Sequence, residues 1–326
     1  MPGTINHPRI AFTVGPLQYW WPRAVLLDFY ERVADSPVDT VVLGEIVCSR
    51  RNEMKHPDWL ALARDLSSAG KEVVLASQAL IMSESELRSV RGVAEQEEFA
   101  VEAGDASALE AIALARKTQG KHLPFVLGPH INVYNREALI EHAALGAGRW
   151  VAPPELPLTA IANVNPADNR VRGVEGDIVT EVWAFGRIPL SFSARCFTAR
   201  HHRLQKDACE FRCRDDADGM LLSSSEGEPF LSLNGTQIQS AGIHALIGEA
   251  DSLRRAGISR IRLSPCSKGF MDVVACFDAV YNHEASASEA LERLRALPLP
   301  GTLVNGYIHR QPGMHFVEPG AEAYDS

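Results

Sequence analysis

The stretch "RIAFTVGPLQYWWPRAVLLDFYERVADSPVDTVVLGE", residues 9–45, decides how the rest of the chain is read. It opens on a β-rich run, "RIAFTVGP" (9–16), that stops at Gly-Pro. It continues into an amphipathic helix, "PRAVLLDFYERVAD" (22–35), and ends on a second β-rich run, "TVVLGE" (40–45). A strand, a helix and a strand in that order form the unit from which parallel sheets with crossover helices are built.

The unit recurs outward from there. A helix over 56–70 closed by Gly70 precedes a strand over 72–77, and a helix over 84–96, with Glu84 and Arg88 at pairing distance, precedes a strand over 99–104. The next helix, 105–120, carries Asp105 as N-cap and Gly120 just past its end. "LPFVLGPHINVYN" (123–135) supplies the fifth strand and leads into a helix over 136–148; "RWVAPPE" (149–155) is the sixth strand, before a short helix over 158–164. A strand over 180–192 runs into an insertion at about 193–240, rich in charge and turn residues, with a small β excursion at Leu221–Leu222 and Phe230–Leu233. A helix over 244–257, a strand over 258–265 and a helical region over 269–297 follow.

Eight strand candidates result, seven followed directly by a helix and one by the insertion. This predicts an α/β chain: a (β/α)8 TIM-like barrel with an insertion after the seventh strand, one domain over residues 1–312, and a mobile tail over 313–326. A doubly wound sheet usually carries a glycine-rich first turn, which "TVGPLQYW" lacks; "GAG" at 146–148 reads as a helix stop.

Composition narrows the function classes. With 326 residues, 46% of them hydrophobic, a large core is within reach. No run of 18 apolar residues predicts a transmembrane segment, and the first ten residues do not read as a signal peptide, so the expected location is cytoplasmic. Thiols stay reduced there, which makes clustered cysteines metal ligands or catalytic groups sooner than disulfides. A formal net charge of −9 disfavours a nucleic-acid partner. "NGT" at 234–236 reads as a turn.

The cysteines carry the chemistry. "SARCFTARHHRLQKDACEFRC" (193–213) holds Cys196, Cys209 and Cys213, with twelve residues between the first two and three between the last two. Functional groups of a barrel gather on the loops after its strand ends, and Cys48 follows the second strand as Cys196 follows the seventh. The closed rim therefore allows the four thiols to meet, as ligands of tetrahedral zinc or of an iron–sulfur cluster. Zinc sites favour paired short knuckles, so the wide spacing favours the cluster. Packing alone is the competing account, but it suits apolar surroundings, as for Cys276 in "DVVACFDAV", and not this polar stretch. Cys266, after the eighth strand, has a rim position but no further support.

"LGEIVCSRR" (43–51), the cysteine segment, "NGTQIQS" (234–240) and "LVNGYIHR" (303–310) together resemble the ubiquinone-synthesis branch of the collagenase-like peptidase family, from the first strand to about Arg310. The resemblance implies a 4Fe-4S cluster held by Cys48, Cys196, Cys209 and Cys213. It implies a heterodimer with a UbiU-like protein, and oxygen-independent hydroxylation of a prenylated quinone precursor, with prephenate as the hydroxyl donor in the wider family. Tyr307 and His309 match the family pattern; His201 and His202 have no family role.

Other reactive residues are weaker candidates. No Ser–His–Asp or HExxH pattern is present, and "HEASA" (283–287) lacks a zincin's second histidine, so peptidase chemistry has no residue support. Glu45, at the start of the Cys48 loop, is a candidate acid/base group or polar anchor, and His130 and Asn132 could hydrogen-bond a substrate oxygen. Arg50, Arg51, Arg195 and Arg200 flank the thiols and have the fork geometry that suits a dicarboxylate such as prephenate, or they balance charge. The leading expectation is the iron–sulfur subunit of an oxygen-independent hydroxylase. The alternatives are a non-catalytic partner whose cluster is structural or relays electrons, an RNA-base hydroxylase, and a zinc-stabilised barrel.

Overall fold

A computed structural model describes residues 8–120 and 123–319 of the chain. Its centre is a ring of eight strands: β1 (Ala11–Val14), β2 (Thr40–Leu43), β3 (Glu72–Ala76), β4 (Ala100–Ala103), β5 (Phe125–Leu127), β6 (Ala147–Val151), β7 (Val179–Gly186) and β8 (Arg260–Leu263). Each pairs in parallel with the next. The ring closes because β8 pairs with both β7, where Arg260 faces Glu181, and β1, where Ala11 faces Arg260. Helices α1 (Arg23–Ala34), α2 (His56–Ser68), α3 (Glu84–Glu95), α4 (Ala106–Gln119), α5 (Arg136–Ala144) and α6 (Leu158–Val164) return the chain between the first seven strands. The expected (β/α)8 barrel is the architecture observed. Among the described residues no helix is long and apolar enough to cross a membrane.

Local chemistry sets the helix ends. Asp105 accepts from Ser107 N at the start of α4, and Gly120 closes it in the left-handed region at φ 66°. Ser83 caps α3 by accepting from Glu86 N. Within α3 stands Gly92, where glycine costs about 0.5–1 kcal/mol relative to alanine. A Cβ added there would meet nothing within 4 Å, so no close packing demands the glycine.

The barrel interior is polar at one level. Arg262 on β8 is fully buried; its Nε donates to Glu181 Oε1 at 2.5 Å and its two Nη atoms fork onto Glu102 at 2.9 and 2.5 Å. Thr13 Oγ1 donates to the other Glu181 oxygen at 3.0 Å, so one cluster ties β1, β4, β7 and β8. Burial alone would push the Glu181 carboxyl up, but Arg262, Arg149 and Arg260 outweigh it and hold it below the ordinary value.

Several boundaries differ from the sequence expectation. The strand over 180–192 is two: the chain breaks after Gly186 (φ 113°), where a Cβ would lie 2.5 Å from Ser264 Cβ, and resumes at Pro189–Phe192. That second piece joins Gln237–Ser240, Pro229–Asn234 and Met220–Ser223, in that spatial order, in an antiparallel sheet. The excursion therefore starts at Pro189 and has four strands; it encloses the short α7 (Phe197–His201). The helix over 244–257 is confined to α8 (Ala250–Arg255), because Ile243–Ala245 is a strand pairing with the end of β7 and with Leu303–Val304. The helical region over 269–297 is α9 (Phe270–Asn282) and α10 (Ala287–Ala296), separated where Glu284 takes φ 56° and Ser286 caps α10. The helix over 136–148 stops at Ala144, with Gly146 (φ 103°) turning the chain into β6. Of the expected tail, residues 320–326 lie outside the described residues; Val317 exchanges two hydrogen bonds with Asn305, at 2.6 and 2.9 Å.

Arg262→Met leaves Glu102 without its ion-pair partner and removes the nearest of the three cations around Glu181. It is expected to destabilise the protein by about 3–5 kcal/mol in urea unfolding, as the loss of one partner of a buried ion pair does.

Candidate functional site

The loop after β2 is shaped by its own carboxylate. Gly44 takes φ 137°, which lets the backbone pass Ala76 O, and Glu45 Oε1 then accepts from Val47 N at 2.9 Å and Cys48 N at 3.0 Å. The turn continues with Arg51 N donating to Cys48 O at 2.9 Å. The Arg51 side chain is 1% exposed; it donates through Nη1 to Gln18 O and through Nη2 to Asn234 Oδ1, both at 2.6 Å, and lies 3.7 Å from Glu45 Oε1.

Asn234 opens the "NGT" turn, which is a turn as expected and also a junction. Thr236 Oγ1 donates to Val47 O at 2.7 Å, next to Cys48. Gly235 N donates to Thr198 Oγ1 at 3.0 Å, and Gly235 O accepts from Phe197 N at 2.7 Å, next to Cys196. Cys196 is the N-cap of α7, its Sγ accepting from Ala199 N at 3.4 Å. Further on, between Cys209 and Cys213, Glu210 and Phe211 both take positive φ, 51° and 57°.

Cys48, Cys196, Cys209 and Cys213 all line one small cavity, and none is in a disulfide. Trp20 and Phe211 also wall it, edge to face at 4.7 Å, with the Arg214 guanidinium 4.1 Å from the Trp20 ring centre and Arg50 5.6 Å from that of Phe211. Burial pushes the Cys48, Cys196 and Cys213 thiols up, and the Arg51 charge works against it at all three. Arg51 Nε and Trp20 Nε1 are buried N–H donors without an acceptor among the described residues. No three His, Cys, Asp or Glu side chains among the described residues are grouped to hold a single metal ion.

The structure separates the other candidates. Glu45 does not line the cysteine cavity; it faces a larger one, partly open to solvent, between α2 and α3. Burial pushes its carboxyl up, opposed by Arg51 and by the two backbone donors. His130 and Asn132 line a third cavity, with Glu155 and Phe192. There Asn132 takes φ 60° and the His130 ring meets Phe192 edge-on at 4.8 Å. Arg50 and Arg51 line the cysteine cavity, whereas Arg195 and Arg200 are exposed and do not. His201 and His202 touch each other, ring centres 5.1 Å apart, without lining it. Cys266 is buried elsewhere, donating to Lys268 O at 3.2 Å, and burial with nearby Asp218 pushes it up to about 12. His309 Nε2 lies 2.9 Å from Glu249 at the foot of α8. Sequence reasoning missed Gln18, Trp20 and Asn234; the polar "NGT" turn was visible, but not what it would touch.

These features define a (β/α)8 barrel with a four-cysteine cavity on its C-terminal rim. Residues 27–315 match Peptidase family U32, and the chain belongs to that family. Among solved structures, the spore cortex-lytic enzyme SleL of Bacillus megaterium QM B1551 is 11% identical with a TM-score of 0.42, covering 85% of this chain and 75% of its own. SleL of Bacillus cereus is 10% identical with a TM-score of 0.32, covering 82% and 74%. Likenesses of that size carry no argument about this chain.

Burial and the Arg262 charge lower His130 from 6.5 to about 4, so the folded chain keeps this ring neutral. Between those values the unfolded chain binds a proton that the folded chain refuses, and stability falls as pH drops through the window, by about 1.4 kcal/mol per pH unit per group at most. His130→Gln is expected to flatten the pH dependence of the unfolding free energy between pH 6.5 and about 4.

Proposed function

We propose that this chain is a UbiV-like protein: the 4Fe-4S subunit of an oxygen-independent hydroxylase in ubiquinone synthesis, acting with a UbiU-like partner on a prenylated precursor, with prephenate as donor. The observation that carries the reading is that Cys48 and Cys196, 148 positions apart, line one cavity with Cys209 and Cys213. Four thiols spread around a cavity suit a cluster with a ligand at each corner better than one tetrahedral ion. Thiolate ligands and bridging sulfides are anionic acceptors, which the orphaned Trp20 Nε1–H on the cavity wall lacks and which the Arg51 guanidinium beside Cys213 suits. In this reading Cys48, Cys196, Cys209 and Cys213 hold the cluster, which supplies one-electron redox chemistry when bound. Glu45 fixes the Cys48 turn, Arg51 offsets thiolate charge, and Trp20 with Phe211 keeps water away. Location in the cytoplasm belongs to the same reading.

A peptidase role gains nothing from the site. No carboxylate or imidazole among the described residues lines the cysteine cavity, so a thiol there lacks the histidine partner of a thiol peptidase. The same observation favours a second reading, in which the cluster relays electrons or holds the loops and the reacting groups lie on the partner subunit.

Anaerobic purification followed by iron, sulfide and zinc analysis tests the cofactor. Iron and sulfide in equal amounts are expected, with the cluster lost in Cys209→Ala; zinc without sulfide sinks the cluster reading. Deleting the gene in its host should abolish ubiquinone made without oxygen and spare that made with it, and an unchanged anaerobic quinone pool would overturn the pathway assignment.

A further inference from the structure

We infer that Trp20 donates its indole N–H to a sulfur of the group held by Cys48, Cys196, Cys209 and Cys213, and that this bond, braced by Arg214, raises the reduction potential of that group. The inference rests on the cluster reading proposed above and adds to it a residue that holds no iron. Trp20 lines the cysteine cavity and is 4% exposed, and its Nε1 is buried without an acceptor among the described residues. An indole can only donate, so this N–H either meets an acceptor or stands as a cost to the fold. A wall that merely excluded water would be served as well by phenylalanine, as Phe211 serves beside it. The next residue shows the contrast: Trp21 Nε1 donates to Ala217 O of the excursion at 2.8 Å, so the chain satisfies that indole itself.

Trp20 also borders a second small cavity, shared with Glu45 and Glu53. There the Glu45 carboxylate accepts from Val47 N and Cys48 N and the Glu53 carboxylate from Arg214, neither of them from Trp20. On the cysteine side no carboxylate lines the wall, and the thiols are the groups that become anionic acceptors when they bind metal. Trp150 and Trp183 Nε1 also lack acceptors, but they belong to β6 and β7 and line neither cavity that borders Trp20. Arg214 fixes the indole plane. Its guanidinium lies 4.1 Å from the ring centre and is paired with Glu53, while Phe211 meets the ring edge-on at 4.7 Å. A cation over the ring face also polarises the indole and makes its N–H a stronger donor. A hydrogen bond to sulfur stabilises the more negative, reduced form over the oxidised one, and so raises the potential. Trp20 and Arg214 are thus positioning residues, and neither is a ligand.

Redox titration of the loaded full-length protein, followed by electron paramagnetic resonance, tests the bond, with iron and sulfide content measured alongside. Trp20→Phe should keep iron and sulfide and lower the reduction potential by about 59 mV, a tenfold change in a one-electron equilibrium. Benzothienylalanine at position 20 keeps the shape of the indole without its N–H. It should lower the potential as far, and it carries the test if Trp20→Phe fails to fold. Arg214→Gln should lower the potential by less in the wild-type background and hardly at all beside benzothienylalanine. An equal shift in both backgrounds removes Arg214 from the account, because its charge alone would act in either. A loaded benzothienylalanine protein with unchanged potential overturns the inference and leaves the cluster reading standing. One that no longer takes up iron also overturns it, since Trp20 would then serve to hold the group and not to tune it. A wild-type protein that never takes up iron and sulfide overturns the cluster reading, and this inference falls with it.

Discussion

The buried fork between Arg51 and its acceptors is the constraint on which the rim of this barrel depends. One guanidinium with 1% of its side chain exposed joins the segment after β1, through Gln18 O, to the excursion hairpin, through Asn234 Oδ1. Its own backbone belongs to the Cys48 turn. Three chain segments far apart in sequence are thereby fixed at one point. A buried guanidinium is costly unless its donors are met, so the surrounding acceptors are as necessary as the charge. The turn that presents Asn234 is held to a narrow geometry in return. Gly235 takes φ 66°, and a Cβ there would stand 3.0 Å from Arg51 Nη2, so the turn is restricted both by its backbone and by the space beside the guanidinium.

Below the rim, the closed sheet makes this junction possible. The Arg262, Glu102 and Glu181 cluster crosses the barrel interior and fixes strands from different parts of the ring relative to one another. The rim loops can then be specified by a few hydrogen bonds, because the positions of their roots are already set. Two kinds of buried polar group thus divide the labour. Ionised pairs hold the interior, while the junction around the "NGT" turn relies on backbone groups and neutral side chains, with Arg51 as its one strong donor.

Much of this order was legible in the sequence. All eight barrel strands fall within or beside the β-rich runs, because buried parallel strands are short, continuous apolar segments set off by helical ones. Strand order allowed Cys48 to meet the later cysteines, and all four line one cavity. What escaped depends on contacts that local pattern does not encode. "HALIG" reads as the start of a helix, yet Ile243–Ala245 pairs with the end of β7, since an open strand edge there demands partners. The break at Gly186 is set by Ser264, nearly 80 residues on. His130 was a rim residue by position, as expected, but position along a ring does not say which side of the mouth a loop leans toward, and it faces Phe192 instead of the thiols.

Arg51 also governs how the two cavities that share it can communicate. Its side chain is tethered through both Nη atoms and packed to near-complete burial, so it forms a fixed wall and cannot act as a swinging gate. Glu45 and Cys48 belong to the same tight turn, the carboxylate facing the α2–α3 cavity and the thiol facing the other. A molecule in the larger cavity would therefore be separated from the thiols by one packed layer of protein. Near as it is to the four cysteines, Glu45 stays out of their cavity because its Oε1 accepts from Val47 N and Cys48 N in the turn.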